Sequence, residues 1–200
     1  MALRLDPTMR KEDRPILLAL AIWLALAIVF ARARWFGHAS APVVALTVWI
    51  LATVVLLAWW KVPFVRAWVG DLPLPFLIGL HLTRFVGFYF LLLCKNGVLP
   101  EAFALPAGIG DILVAAGAVV LLVIPQFVRS RRIVLAWNLI GLLDIVFVIS
   151  SALRLGLHDW TAMSPLRELP LSLLPTFLVP LIIVSHFLIL VRLREARFPA

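Results

Sequence analysis

Six apolar runs, each close to the ~20 residues that an α-helix needs to cross a roughly 30 Å hydrocarbon layer, occupy most of this sequence. They fall at about residues 15–31, 42–60, 73–93, 107–128, 133–153 and 170–191. None alternates apolar and polar residues with period two, so a membrane β-barrel is not the architecture. Hydrophobic residues make up 64% of the chain and charged residues 14%, more apolar surface than a soluble globule of this size can enclose. The expected fold is an all-α, polytopic membrane helix bundle of about six spans, forming one transmembrane domain over residues 1–200. Several runs open on proline (Pro15, Pro42, Pro73 and Pro75, Pro106), which suits a first helical turn, where the missing N–H has no intrahelical partner to lose. The first run follows basic residues and precedes Ala31-Arg32-Ala33, as in a secretory signal. Its leader, however, is long and mixed in charge (Asp6, Glu12, Asp13), and the reading adopted is a retained helix.

The net charge of +8 would point a soluble protein toward nucleic acid. Here the basic residues sit between apolar runs, where they report topology instead, and no nucleic-acid partner is expected. With the N-terminus inside, one side holds Arg4, Arg10, Lys11, Arg14, Lys61, Arg66, Arg129, Arg131, Arg132, Arg192, Arg194 and Arg197, and the other Arg32, Arg34, Lys95, Arg154 and Arg167. This excess places both termini in the cytoplasm and the chain in the cell's inner (plasma) membrane. Trp35, Trp59, Trp60, Trp68 and Trp160 lie near span ends, where indoles reach headgroups. The expected partners are membrane lipid, including anionic lipid at the basic cytoplasmic ends, and a small-molecule ligand. Short loops leave helix faces for self-association or docking to a larger membrane complex. The single cysteine, Cys94, excludes an internal disulfide and a cysteine-built metal site.

Function in such a chain is sought in residues that are costly to bury. A charge at mid-bilayer costs at least about 2.5–3.5 kcal/mol and turns toward a partner or a wet cavity. Arg84 and Asp144 each lie about eleven residues from the inner ends of their spans, which at ~1.5 Å per residue puts both near the midplane; an ion pair is expected. His81, one turn from Arg84 on the same face, falls with Asn138 and His186 in the inner third. Asp111, at the start of the fourth run, is expected near the outer surface, where it would cap a close-packed helix start built from Pro106, Gly108 and Gly110. Such residues equally serve as interhelical glue. His38 and His158 fall in loops and carry no signal.

The segments LPEAFALPAGIGD (Leu99–Asp111), GLLD (Gly141–Asp144) and PTFLVPLIIVSH (Pro175–His186) resemble a family of bacterial six-span membrane proteins usually recorded as hypothetical. The resemblance covers roughly residues 75–192. It implies a membrane bundle and carries over no activity, cofactor or catalytic residue; its pattern admits glutamine at the position of His81.

The leading expectation is a small-solute, ion or proton site between helices, used for transport or sensing, with Arg84, Asp144, Asp111, His81, Asn138 and His186 as candidates. A second is a b-type haem held by His81 and His186, which fall at similar depth. A third is a non-catalytic subunit of a membrane complex. An intramembrane enzyme is disfavoured, because no nucleophile–base pair, His-rich metal motif or paired-carboxylate metal motif stands out.

The charge asymmetry gives a direct prediction. In a Cys94→Ser background, Ser130→Cys in intact cells should resist a membrane-impermeant maleimide and react only after permeabilisation. Efficient labelling from outside would invert the topology.

Overall fold

The computed structural model describes residues 13–37 and 39–195; Arg4, Arg10, Lys11, His38 and Arg197 lie outside the described residues. Six helices are long and apolar enough to span a membrane: α1 (Asp13–Arg32), α2 (Ala41–Lys61), α4 (Leu74–Lys95), α5 (Glu101–Val123), α7 (Arg131–His158) and α8 (Leu174–Arg194). Two short helices join them on one side, α3 (Pro63–Asp71) between α2 and α4 and α6 (Pro125–Arg129) between α5 and α7. No strand occurs among the described residues. Large side chains such as Leu18, Ile50, Leu113, Val123 and Leu143 are more than half exposed, an outer surface suited to lipid and not to water. The chain is a multi-pass membrane protein.

The start of α1 and the end of α8 meet the same short helix. Trp68 of α3 donates its indole N–H to Asp13 Oδ1 at the start of α1 (3.1 Å), and Arg192 near the end of α8 donates to the carbonyls of Val69 and Gly70 (2.5 and 3.1 Å). The described termini therefore share one side, as an even number of crossings requires. At the opposite end, Trp160 donates to Ala39 O (2.6 Å) and Arg167 to Gly37 O (2.8 Å), tying the loop before α8 to the loop before α2.

The centre of the bundle is α5. Its Ala104, Ala107, Ala115 and Ala118 have no exposed surface, and side chains this small let neighbouring backbones approach closely. The approach is tightest against α4, where a Cβ added to Gly87 would stand 2.3 Å from the carbonyl oxygen of Gly108. On its other face, Trp137 of α7 donates to Val114 O (3.0 Å).

The fourth span differs from the sequence expectation of 107–128. Helix α5 begins six residues earlier, at Glu101 after Pro100, and Pro106 lies inside it. Proline removes the bond to the carbonyl four residues back, that of Ala102. Ala102 and Pro106 are both exposed in the first two turns, so the loss falls where it is least costly. Pro125 then ends the helix at Val123. The earlier start adds about 9 Å of helix before Asp111.

Two spans are not regular helices. The middle of α4, Leu80–Val86, is wound as a 3-10 helix, and α8 opens with a π-helical turn, Leu174–Leu178. The cause in α8 is visible in its hydrogen bonds. Pro180 has no N–H for the carbonyl of Thr176, and that carbonyl instead accepts the indole N–H of Trp23 at 2.9 Å. An unmet backbone group costs several kcal/mol in lipid, so α1, otherwise peripheral with only Ala27 and Ala31 buried, is pinned to the bundle by the defect. The ring of Trp23 also packs edge-on against Phe177.

Trp23→Phe keeps the ring contact and removes the N–H. It should cost about 1–3 kcal/mol of stability, the penalty for an orphaned buried acceptor. Trp35→Phe, at an exposed indole, serves as the control. Indistinguishable melting of the two variants in detergent would remove α1's anchoring role.

Candidate functional site

In a 3-10 helix residues three apart lie directly above one another. In α4 this aligns His81, Arg84 and Gly87 into one buried stripe, continued by Ile78 and Phe90. Gly87 lets α4 settle against α5, and Arg84 is thereby brought alongside Asp111. The Arg84 side chain is 1% exposed and reaches two helices at once. Its Nε donates to Asp111 Oδ1 of α5 (2.7 Å), one terminal nitrogen donates to Gly141 O of α7 (3.0 Å), and the other to Asp144 Oδ2 of α7. Gly110 supplies the space for that last contact, since a Cβ there would meet the Asp144 carboxylate at 2.0 Å.

Asp111 is therefore corrected from a helix-capping residue near the surface to a second partner of Arg84 in the interior. The misplacement follows from the α5 start: counted from Pro106 it belongs to the first turn, counted from Glu101 it sits near the middle of the span. Arg84 and Asp144 are paired as the depth count expects, but the pair is a triad of one guanidinium and two carboxylates.

His81, Asn138 and His186, all with no exposed surface, form an adjoining layer. The Asn138 amide nitrogen donates to the backbone carbonyl of His186 (3.2 Å), which leaves its oxygen to accept the His186 Nδ1–H (2.9 Å). The Ser185 hydroxyl donates to Ile182 O (2.8 Å), and its oxygen lies 3.0 Å from His81 Nε2. His81 Nδ1 and His186 Nε2 are both buried without a side-chain hydrogen-bond partner. The ring centroids are 4.3 Å apart with planes tilted by 53°, and the edge of Trp137 closes on His81 at 4.9 Å.

In this arrangement the two histidines are not placed as axial ligands of one haem. Iron–nitrogen bonds of about 2 Å on opposite sides of a macrocycle hold imidazole centroids about 6 Å apart, with the porphyrin between them. At 4.3 Å the rings touch each other. Among the described residues no group of three or more His, Cys, Asp or Glu side chains gathers to hold a metal ion.

Gly141 joins the two layers. Its carbonyl accepts from Arg84, and a Cβ on it would lie 2.7 Å from Cε1 and 3.2 Å from Nε2 of His186. All six candidates read from the sequence thus stand in one connected core. Gly141 and Ser185 belong to it and were not among them. Gly141 was legible only as part of the GLLD segment, one turn before Asp144; Ser185 gave no signal beyond its place beside His186.

Removing one partner of a buried pair strands a charge and typically costs about 3–5 kcal/mol. Arg84→Leu and Asp144→Leu should each destabilise on that scale. The Arg84→Leu/Asp144→Leu double variant should stay poorly stable, because Asp111 is left alone in the interior; adding Asp111→Leu should recover much of the loss. Full recovery in the double variant, read from thermal melts in detergent, would show that Asp111 is not a partner of Arg84.

A family model described as a domain of unknown function (DUF8737) matches residues 41–194. The match runs from the first residue of α2 to the last of α8, so it contains the whole triad and histidine layer and omits α1. No curated protein and no solved structure matches. With that match over most of its length, the chain belongs to the DUF8737 family.

Proposed function

We propose that the Arg84–Asp111–Asp144 triad is an intramembrane proton-binding site, serving transport or sensing, in a protein with both termini in the cytoplasm. The observation that carries this reading is stoichiometric. One guanidinium faces two carboxylates at bilayer depth, leaving a surplus negative charge where an uncompensated charge is costly. A proton on one of the two carboxylates neutralises it with no further partner. A purely structural pair needs one carboxylate, not two.

Two further features support the reading. One ring nitrogen of His81 and one of His186 lie buried without a hydrogen-bond partner next to the triad, which Gly141 joins to their layer. The site is also flanked by a 3-10 segment and a π-helical turn; irregular backbone at membrane depth is tolerated where it is buried or lines a cavity and often marks a functional position. The side chain of Asp144 is 15% exposed, against 5% for Asp111, so Asp144 is the more accessible carboxylate of the triad.

Infrared difference spectroscopy on the purified protein tests this. A carboxylic-acid carbonyl band should be present at neutral pH, where a free aspartate (pKa ~3.9) is ionised, and should shift on transfer to deuterium oxide. Asp111→Asn and Asp144→Asn should each abolish it. A wild-type spectrum without such a band would overturn the proposal.

A further inference from the structure

The short helix α3 forms one wall of a groove of about 780 Å³, completed by the end of α2 and the last turns of α8. That volume falls within the ~300–1,000 Å³ of small-molecule sites. The groove lies on the side of the bundle that carries both described ends and shares no residue with the triad or the histidine layer. Four charged side chains line it: Arg66 and Asp71 of α3, Arg192 of α8, and Glu195 just past the end of α8. The rest of the wall is uncharged and includes Trp59, Leu188 and Val191.

We infer that this groove binds the head group of a zwitterionic phospholipid with a primary amine, its phosphate on Arg66 and its ammonium on Glu195. The argument begins with which charges are already answered. Arg192 donates to the α3 carbonyls of Val69 and Gly70 and so holds α3 against α8, and Asp71 and Glu195 both act on its charge. Arg66 donates to the carbonyl of Trp60, a bond that leaves the guanidinium charge uncompensated. Among the described residues neither Arg66 nor Glu195 takes part in an ion pair. One groove thus holds a cation and an anion that do not reach each other.

The ligand follows from those two poles. A guanidinium matches the oxygens of a phosphate, and a carboxylate accepts from an ammonium. The four charged side chains of the wall sum to zero, so a head of either net charge would meet one pole it could not satisfy. The amine is primary because a carboxylate needs N–H donors; a quaternary ammonium has none and is held by aromatic faces, whereas Trp59 is the one aromatic residue among those lining the groove. The lipid source follows from continuity with the outer surface. The Trp59 ring packs edge-on against Phe187 at 6.1 Å, and Phe187 is 44% exposed on the lipid-facing side of α8. Head group and acyl chains therefore find polar and apolar surface side by side, at a level where indoles meet the membrane interface.

Native mass spectrometry of the full-length protein in detergent, titrated with phosphatidylethanolamine, phosphatidylcholine and phosphatidylglycerol of identical acyl chains, tests the assignment. Phosphatidylethanolamine is expected to bind tightest, at one saturable site. Arg66→Gln and Glu195→Gln, both at exposed positions, should each weaken that binding about tenfold, the change that ~1.4 kcal/mol produces. Glu195→Gln should also shift the preference toward phosphatidylglycerol, since the phosphate pole then remains without the ammonium acceptor. Arg129→Gln, at an exposed basic residue of α6 on the same side, should leave binding unchanged, which separates a built site from the general attraction of basic ends for phosphate. Equal affinity for the three lipids, tightest binding of phosphatidylglycerol by the wild type, or an equal loss in the Arg66 and Arg129 variants overturns the inference. An unchanged preference in Glu195→Gln overturns the ammonium pole. Displacement of the lipid by water-soluble glycerophosphoethanolamine at matching concentration overturns the lipid source and assigns the groove to a soluble zwitterion.

Discussion

The burial of one guanidinium organises this molecule. Arg84 sits buried near the middle of a bundle whose outer surface suits lipid, and the neighbouring helices answer its charge. Helix α5 supplies Asp111, and α7 supplies Asp144 and the Gly141 carbonyl. Three spans are thus fixed relative to one another by a single side chain. The hydrophobic effect gives these helices little reason to choose one neighbour over another within the membrane, since lipid tails are as apolar as leucine. Polar bonds and close packing decide it instead.

Close packing here depends on what is missing. Gly87 and Gly108 allow α4 and α5 to touch backbone to backbone, and Gly110 leaves room for the Asp144 carboxylate. Gly117 does the same for the Trp137 ring, which would stand 2.7 Å from a Cβ at that position. A methyl group at the tightest of these contacts would displace backbone or a charged group, not a flexible chain end. The glycines and alanines of α5 are therefore part of the site's geometry as much as the side chains that carry its charge.

The same economy governs the backbone. Pro180 frees the Thr176 carbonyl, and α1 reaches across with Trp23 to satisfy it. The family match begins at α2, so the helix that meets this need lies outside the matched segment. In α4 the change of winding over Leu80–Val86 places His81 above Arg84 on one line, and this alignment stacks the neutral imidazole layer on the charged one. Neither irregularity is an isolated defect. Each positions a wall or a ligand of the core.

The sequence by itself determined that the chain is a six-helix membrane bundle, because runs of apolar residues long enough to cross lipid have no other stable arrangement for their backbone hydrogen bonds. It also singled out the costly residues Arg84, Asp111, Asp144, His81, Asn138 and His186, because charge and polarity in apolar runs are visible in composition alone. What it could not supply was register between spans. Asp111 was misplaced by about two turns because Pro106 reads as a helix start, whereas exposure of Ala102 lets it sit inside one. The contact of the two imidazoles depends on 3-10 winding that no residue in Leu80–Val86 announces. Gly141 and Ser185 are ordinary residues until neighbouring helices bring Arg84, His186 and His81 against them. Those decisions belong to the tertiary structure, since each is a distance between helices far apart in sequence, and periodicity along one chain holds no information about it.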